Sequence, residues 1–313
     1  MKIRRKIIVI FCLIIVLNLS VISSSALSTE KSEIINESNE EIITSTNGKG
    51  NCAVFVTGAG PGCDLLANEA YKGATYFNSQ GYNTKVISYY SNMFPVLSTR
   101  NALISWVPEN LAEDGQVFIY LGGHSDILSN VVIGIISSIS EGTLNLWVTR
   151  MENNCNPSIV TIVVESCQSG SFINPLKNDN RIVITSTDTL HSAYYNSHEE
   201  LVYFSTPFFN ALRAGKSYGA AWEDADYKID CLETRQETSI DLQDPKINDG
   251  KTDGTSSVDK LKPKNRLALR VYPSHIKTYK SVYSNNIVSK LLDRFPAIKN
   301  IFYIFEKIKM EYD

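Results

Sequence analysis

In Val160-Thr161-Ile162-Val163-Val164-Glu165-Ser166-Cys167-Gln168-Ser169-Gly170-Ser171 an apolar, β-branched run stops at a cysteine, and small residues follow. This is the pattern of a buried strand that carries a thiol to the edge of a sheet and ends there. An earlier stretch does the same with a histidine: Val117-Phe118-Ile119-Tyr120-Leu121-Gly122-Gly123-His124. Two strand ends bearing Cys and His point to a cysteine nucleophile with its base.

Outward from these runs, strand and helix patterns alternate. Strands are predicted at 53–57, 84–89, 116–121, 158–164 and 181–185. Helices are predicted at 65–80, 98–111 (with Ser98 as its cap), 141–153, 207–214 and 218–229. The stretch 130–138 is β-rich and suits a hairpin inserted over the site. Strands separated by helices of this length imply right-handed crossovers. The expected fold is therefore α/β, with a mainly parallel sheet flanked by helices on both faces.

A parallel sheet places its functional loops at the carboxyl ends of its strands, so His124 and Cys167 can share one rim. The thiolate attacks, and an imidazole beside it takes the thiol proton and later protonates the leaving amine. The backbone N–H groups of Ser125 and Cys167 are candidate oxyanion donors, since neither residue is proline. The rival reading is plain: a cysteine at a strand end is often structural, and a histidine near glycines often only caps a turn. His191 and His198 are rival bases, both in a polar loop. The spacing of the four histidines provides no metal set. Gly58-Ala59-Gly60-Pro61-Gly62 lacks the dinucleotide spacing, and Pro61 removes an N–H that a phosphate would use, so no cofactor is expected.

The rest of the chain frames this domain. Lys2, Arg4, Arg5 and Lys6 precede an apolar run from Ile7 to Leu17, and Ser24-Ser25-Ala26 follows. That is the layout of a secretory signal over residues 1–26, against the alternative of an uncleaved anchor. Its removal takes away four positive charges and no acidic residue, leaving 26 basic against 33 acidic residues, a net charge of −7. Clustered Lys and Arg are missing, which argues against a nucleic-acid partner. Residues 27–51 are polar and read as a flexible linker or pro-segment, and the catalytic domain is expected over 52–230. Residues 231–263 read as an acidic polar loop; with Gly254 in the sixth position of a calcium loop, lysines fall at the third and twelfth, so that template fails. Residues 264–313 carry a strand at about 266–272 and amphipathic helices whose apolar positions suit the body of the protein, a partner or a membrane surface. Five cysteines follow residue 26: Cys52, Cys63, Cys155, Cys167 and Cys231. Either four pair and Cys167 stays free, or none pair.

Glu165-Ser166-Cys167-Gln168-Ser169-Gly170-Ser171 is a full match to the Glu-x-Cys-x-Ser-Gly-Ser signature of the legumain family of cysteine peptidases, within the wider caspase-like group. Gly123-His124 resembles the His-containing strand end of that family, and the likeness extends over about residues 52–254. The resemblance implies the caspase–hemoglobinase fold, a three-layer α/β sandwich, and cleavage of peptide or protein substrates through a Cys167–His124 dyad and a thioester. It also implies that Glu165 helps line the pocket for the residue before the cut, with Ser192 near a further pocket position. Two departures stand out. Ser125 replaces the glycine that normally follows the histidine, and the Arg-His pair after the first strand of legumain is missing. Preference for Asn therefore does not carry over. Relatives also catalyse transpeptidation, so a transamidase using the same dyad is the alternative, and a non-catalytic surface module keeping the fold is a third reading.

Overall fold

The computed structural model describes residues 41–43, 48–89, 92, 94–134, 137–235 and 243–248. The expected signal segment and the C-terminal strand and helices lie outside them. In chain order the elements are β1 (Glu41–Ile43), β2 (Asn51–Thr57), α1 (Cys63–Ser79), β3 (Tyr82–Ser88), α2 (Pro95–Asn101) and α3 (Val107–Asn110). Next come β4 (Gln116–Gly122), β5 (His124–Ser125), β6 (Val131–Gly134), β7 (Ser137–Ile139), α4 (Glu141–Cys155), β8 (Ile159–Glu165) and α5 (Ile173–Leu176). The last described elements are β9 (Arg181–Thr185), β10 (Tyr195–Asn196), β11 (Leu201–Val202), α6 (Ser205–Arg213), α7 (Tyr218–Arg235) and β12 (Lys246–Asn248).

The main sheet runs β1-β3-β2-β4-β8-β9-β12. Its five inner strands are parallel and the two edge strands antiparallel. The central strands β4 and β8 read as nearly continuous apolar runs because both faces are covered, whereas β3, next to the edge, carries Asn83, Thr84 and Lys85. Alternate residues then go to opposite sides. Val54, Val56, Ile119, Leu121, Ile162 and Val164 pack with Leu103, Val107, Leu144, Trp147 and Leu176 from α2 to α5. Phe55, Phe118, Tyr120 and Val163 pack with Phe77, Phe208, Phe209, Tyr218 and Ile229 of α1, α6 and α7. The second face is aromatic, with Phe77 and Phe118 ring centroids 4.2 Å apart and Phe118 and Tyr218 stacked at 6.0 Å. The expected three-layer α/β sandwich with a mainly parallel sheet is what the structure contains.

Three expectations need correction. Ser98 does not cap a helix; it lies inside α2, which starts at Pro95, where proline's missing N–H costs nothing. The helix also does not run unbroken to residue 111. Residues Ala102–Trp106 form a π-helical turn, with Val107 N–H donating to Ala102 O, ahead of Pro108, which has no N–H to continue the α-helical ladder. Finally, the presumed linker and acidic loop both feed the sheet: Glu41–Ile43 pairs with β3 and Lys246–Asn248 with β9. The hairpin predicted at 130–138 is present as β6 and β7, which join β5 in a small separate sheet.

Candidate active site

The chain goes from β2 outward to β3 and then returns to β4 on the other side of β2, which opens a crevice at the carboxyl ends of β2 and β4. His124 stands two residues past the end of β4. On the neighbouring strand Cys167 stands two residues past the end of β8, and Gly122 and Glu165 are register partners. Gly123 N–H donates to Glu165 O at 3.0 Å and carries the pairing one step further. Both side chains line one small, open cleft, together with Pro61, Cys63, Glu165 and Tyr195.

The Cys167 turn is tight. Gln168 has φ +56°, a left-handed conformation that only a firmly held loop keeps for a residue with a side chain. The flanking N–H groups hold it: Ser166 donates to Ser186 Oγ at 3.2 Å and Gln168 to His191 O at 2.9 Å. Ser169 N–H donates to Thr187 Oγ1 at 2.9 Å, and Thr187 N–H returns a bond to Ser169 Oγ at 3.1 Å. A Cβ on Gly170 would lie 2.5 Å from the Asp188 backbone, so this position needs a glycine to let the 188–193 loop close over the turn. That loop delivers Ala193 N–H to Cys167 Sγ at 3.4 Å.

His124 is seated by the loop after β2. Its Nε2 lies 2.8 Å from Pro61 O, and since a carbonyl only accepts, Nε2 carries the proton. Nδ1 is left as the basic nitrogen. On the β5–β6 ladder, Asp126 N–H donates to Asn130 O, so Ser125, one residue earlier and opposite Val131, has its N–H turned away from β6. The serine at this position is therefore accommodated in a regular strand. Ser129 Oγ donates to Gln168 Oε1 at 2.9 Å and ties the His124 loop to the Cys167 loop.

Glu165 is 1% exposed, and burial pushes its carboxyl up to about 7. Ser205 Oγ donates to its Oε2 at 2.5 Å, and the Tyr120 hydroxyl is 3.0 Å from Ser205 Oγ. Neither Ser205 nor Tyr120 was picked out in the sequence; their pairing with Glu165 spans β4, β8 and α6 and leaves no local signal. Ser192, expected near the pocket, is exposed, and its neighbour Ala193 lines the cleft instead. His198 is exposed. His191 Nδ1 is 2.8 Å from Asp188 Oδ1, so its ring braces the 188–193 loop. Asp188, His191 and Asp244 bring one ligand atom each within 4.8 Å of one another, a grouping that linear spacing did not reveal. Asp188 already accepts bonds from Leu190 and His191 N–H, and Asp244 pairs with Lys246 at 2.5 Å. All five cysteines among the described residues are free thiols. Burial pushes Cys52 and Cys63 up to about 12, which disfavours their thiolate forms.

A parallel-sheet sandwich with a thiol and an imidazole on adjacent strand ends defines a cysteine-type peptidase. The model of the Peptidase C13 family matches residues 75–220, a segment that contains both His124 and Cys167. That segment resembles this family, the legumain family of cysteine peptidases, over a little under half of the chain. A crystal structure of caspase-1 from Spodoptera frugiperda is similar over 64% of this chain and 86% of that chain, at 12% identity and a TM-score of 0.47. No curated protein matches the sequence.

Proposed function

We propose that this peptidase is an extracytoplasmic endopeptidase in which Cys167 is the nucleophile and His124 the general acid and base. The carrying observation is that both line one cleft from equivalent positions on neighbouring strands. Nδ1 of His124 takes the thiol proton as Sγ attacks the scissile carbonyl. The carbonyl oxygen gains the electron pair and is held by the N–H groups of Ser125 and Cys167. Collapse expels the amine, which leaves with the proton held on His124, and a thioester remains. Water, deprotonated by Nδ1, attacks the thioester, restores the thiol and releases the carboxylic acid. Pro61 holds the ring in place through both steps, so no third side chain is needed.

The basic segment followed by an apolar run at residues 2–17 supports export. Among the described residues no helix is long and apolar enough to cross a membrane. The expected contact of residues 264–313 with a membrane or partner concerns residues outside the described ones.

The test is a thiol-directed peptidyl probe combined with peptide cleavage assays. Labelling and cleavage are expected in the wild type and lost in Cys167→Ala, with His124→Ala slowing both. Equal labelling of wild type and Cys167→Ala would remove Cys167 as the nucleophile. Adding an amine during cleavage separates hydrolysis from transpeptidation, because only the latter yields the coupled amide as main product.

A further inference from the structure

We infer that Gln243 is a positioning residue for Cys167: its side-chain amide joins the two stems of the loop that carries Ala193 across the thiol. The inference rests on the peptidase reading above and adds a residue to its machinery. Gln243 stands just before β12, beyond the residues 75–220 that the family model matches. Because β12 is antiparallel to β9, with Lys246 opposite Thr185, the chain leading into Lys246 passes beside the residues that follow β9. Gln243 is 3% exposed there, in contact with a loop rather than with solvent.

The amide bonds in both directions. Nε2 donates to Ser186 O at 2.9 Å, and Oε1 accepts from Tyr194 N–H at 3.1 Å. A carbonyl only accepts and a backbone N–H only donates, so this orientation of the amide is the one that serves both. Each stem in turn touches the Cys167 turn. Ser186 Oγ accepts from the N–H of Ser166, one residue before the cysteine, and Ala193, the neighbour of Tyr194, points its N–H at Cys167 Sγ. A displacement of either stem therefore moves a group bonded to the nucleophile or to its turn. A reacting atom misplaced by about 1 Å can cost on the order of 100-fold in rate.

The other holds on this loop act at one place each. Asp188 Oδ1 accepts from the N–H groups of Leu190 and His191 and shapes the first half locally. On the far side Tyr203 N–H donates to Tyr194 O at 3.1 Å, and the Tyr195 ring sits against Gly62, where a Cβ would lie 2.4 Å from it. Gln243 spans from one stem to the other with a single side chain, and it does so from a strand paired to the main sheet, so the loop is referred to the same frame that carries Cys167.

The test uses the full chain, a fluorogenic peptide that the wild type cuts, and the peptidyl probe, at a temperature well below the melting point of each variant. Gln243→Leu fills the space and removes both bonds. Its kcat is expected to fall by about 10- to 100-fold while KM changes less than about threefold, with probe labelling of Cys167 slowed by at least about tenfold. Gln243→Glu makes both bonds only while its carboxyl is protonated, so its kcat relative to the wild type should recover by about tenfold between pH 8 and pH 5. A lowered melting temperature in Gln243→Leu with unchanged kcat and labelling would reduce the residue to a structural role and overturn the inference. So would a Gln243→Glu whose activity keeps a constant ratio to the wild type over that pH range. If Cys167 is labelled in the wild type while Gln243→Leu is unaffected, only this inference fails. If the wild type is not labelled at Cys167 and cuts no peptide, the function proposed above fails first.

Discussion

The carbonyl oxygen of Pro61 lies 2.8 Å from Nε2 of His124, so the loop after the first inner strand seats the imidazole that the next strand delivers. The seat depends on Gly60. Its φ is +122°, and a Cβ there would lie 2.8 Å from His124 Cδ2 and 3.1 Å from Nε2. Gly60→Ala is expected to displace the ring and lower kcat/KM by about 10- to 100-fold. Steady-state kinetics on a variant with an unchanged circular dichroism spectrum check this, and retained activity would show that the seat does not position His124.

The thiols should separate by reactivity. Cys52 and Cys63 are fully buried and pushed up to about 12, and Cys155 up to about 11. Iodoacetamide on the native protein near pH 7.5, read by peptide mass spectrometry, should modify Cys167 at least about 100-fold faster than Cys52 or Cys63. Unfolding should abolish the difference. Fast native modification of Cys63 would contradict its burial beneath His124.

Glu165 makes stability depend on pH in a direction opposite to that of a salt-bridged acid. Its carboxyl is raised from 4.5 to about 7, so the folded state holds an extra proton between those values. Stability therefore falls as pH rises through this window, and the loss is complete above about 7. The upper bound is about 3 kcal/mol. Glu165→Gln keeps the acceptor for Ser205 and removes the charge. Its melting temperature should exceed the wild type at pH 8, and the gap should close near pH 4.5. A constant gap across that range would show that ionisation of Glu165 is not the cause.

Arg181 anchors the start of β9 to α4. It is 2% exposed, donates through Nε to Glu152 Oε1 at 2.7 Å, and reaches Thr149 Oγ1 at 2.9 Å, Asn145 Oδ1 at 2.7 Å and Leu176 O at 3.0 Å. Arg181→Ala strands the Glu152 charge and should cost about 3–5 kcal/mol in urea unfolding. Arg181→Met, which also leaves Glu152 unpaired but fills the space, should lose less. Equal stability of Arg181→Ala and wild type would mean that this network contributes nothing.

Periodicity alone made the layers legible. Runs such as Val117–Leu121 and Val160–Val164 have no charged position and only one hydroxyl each, Tyr120 and Thr161, as suits a strand covered on both faces. Helix ends were less legible, because Pro95 outweighed Ser98 and Pro108 broke the register of hydrogen bonds. The two edge strands escaped notice since β1 and β12 are only three residues each and lie in polar surroundings. An edge strand is stabilised by pairing to its neighbour, and its own composition says little.

For the candidate site, the placing of His124 and Cys167 on one rim was readable because each follows a conspicuous strand, and a parallel sheet sends neighbouring strand ends to the same side. The sequence by itself thus determined the layered fold and the residues at its carboxyl edge. Only the tertiary structure decided what surrounds them: Pro61 behind His124, Ser205 and Tyr120 around Glu165, Tyr195 against Gly62, and the loop carrying Ala193 across Cys167. These pairs lie on different elements, and which of them meet depends on strand order and on the packing of α1 and α6 over the sheet. Hydrogen bonding and steric exclusion act through space, so distance along the chain does not encode them.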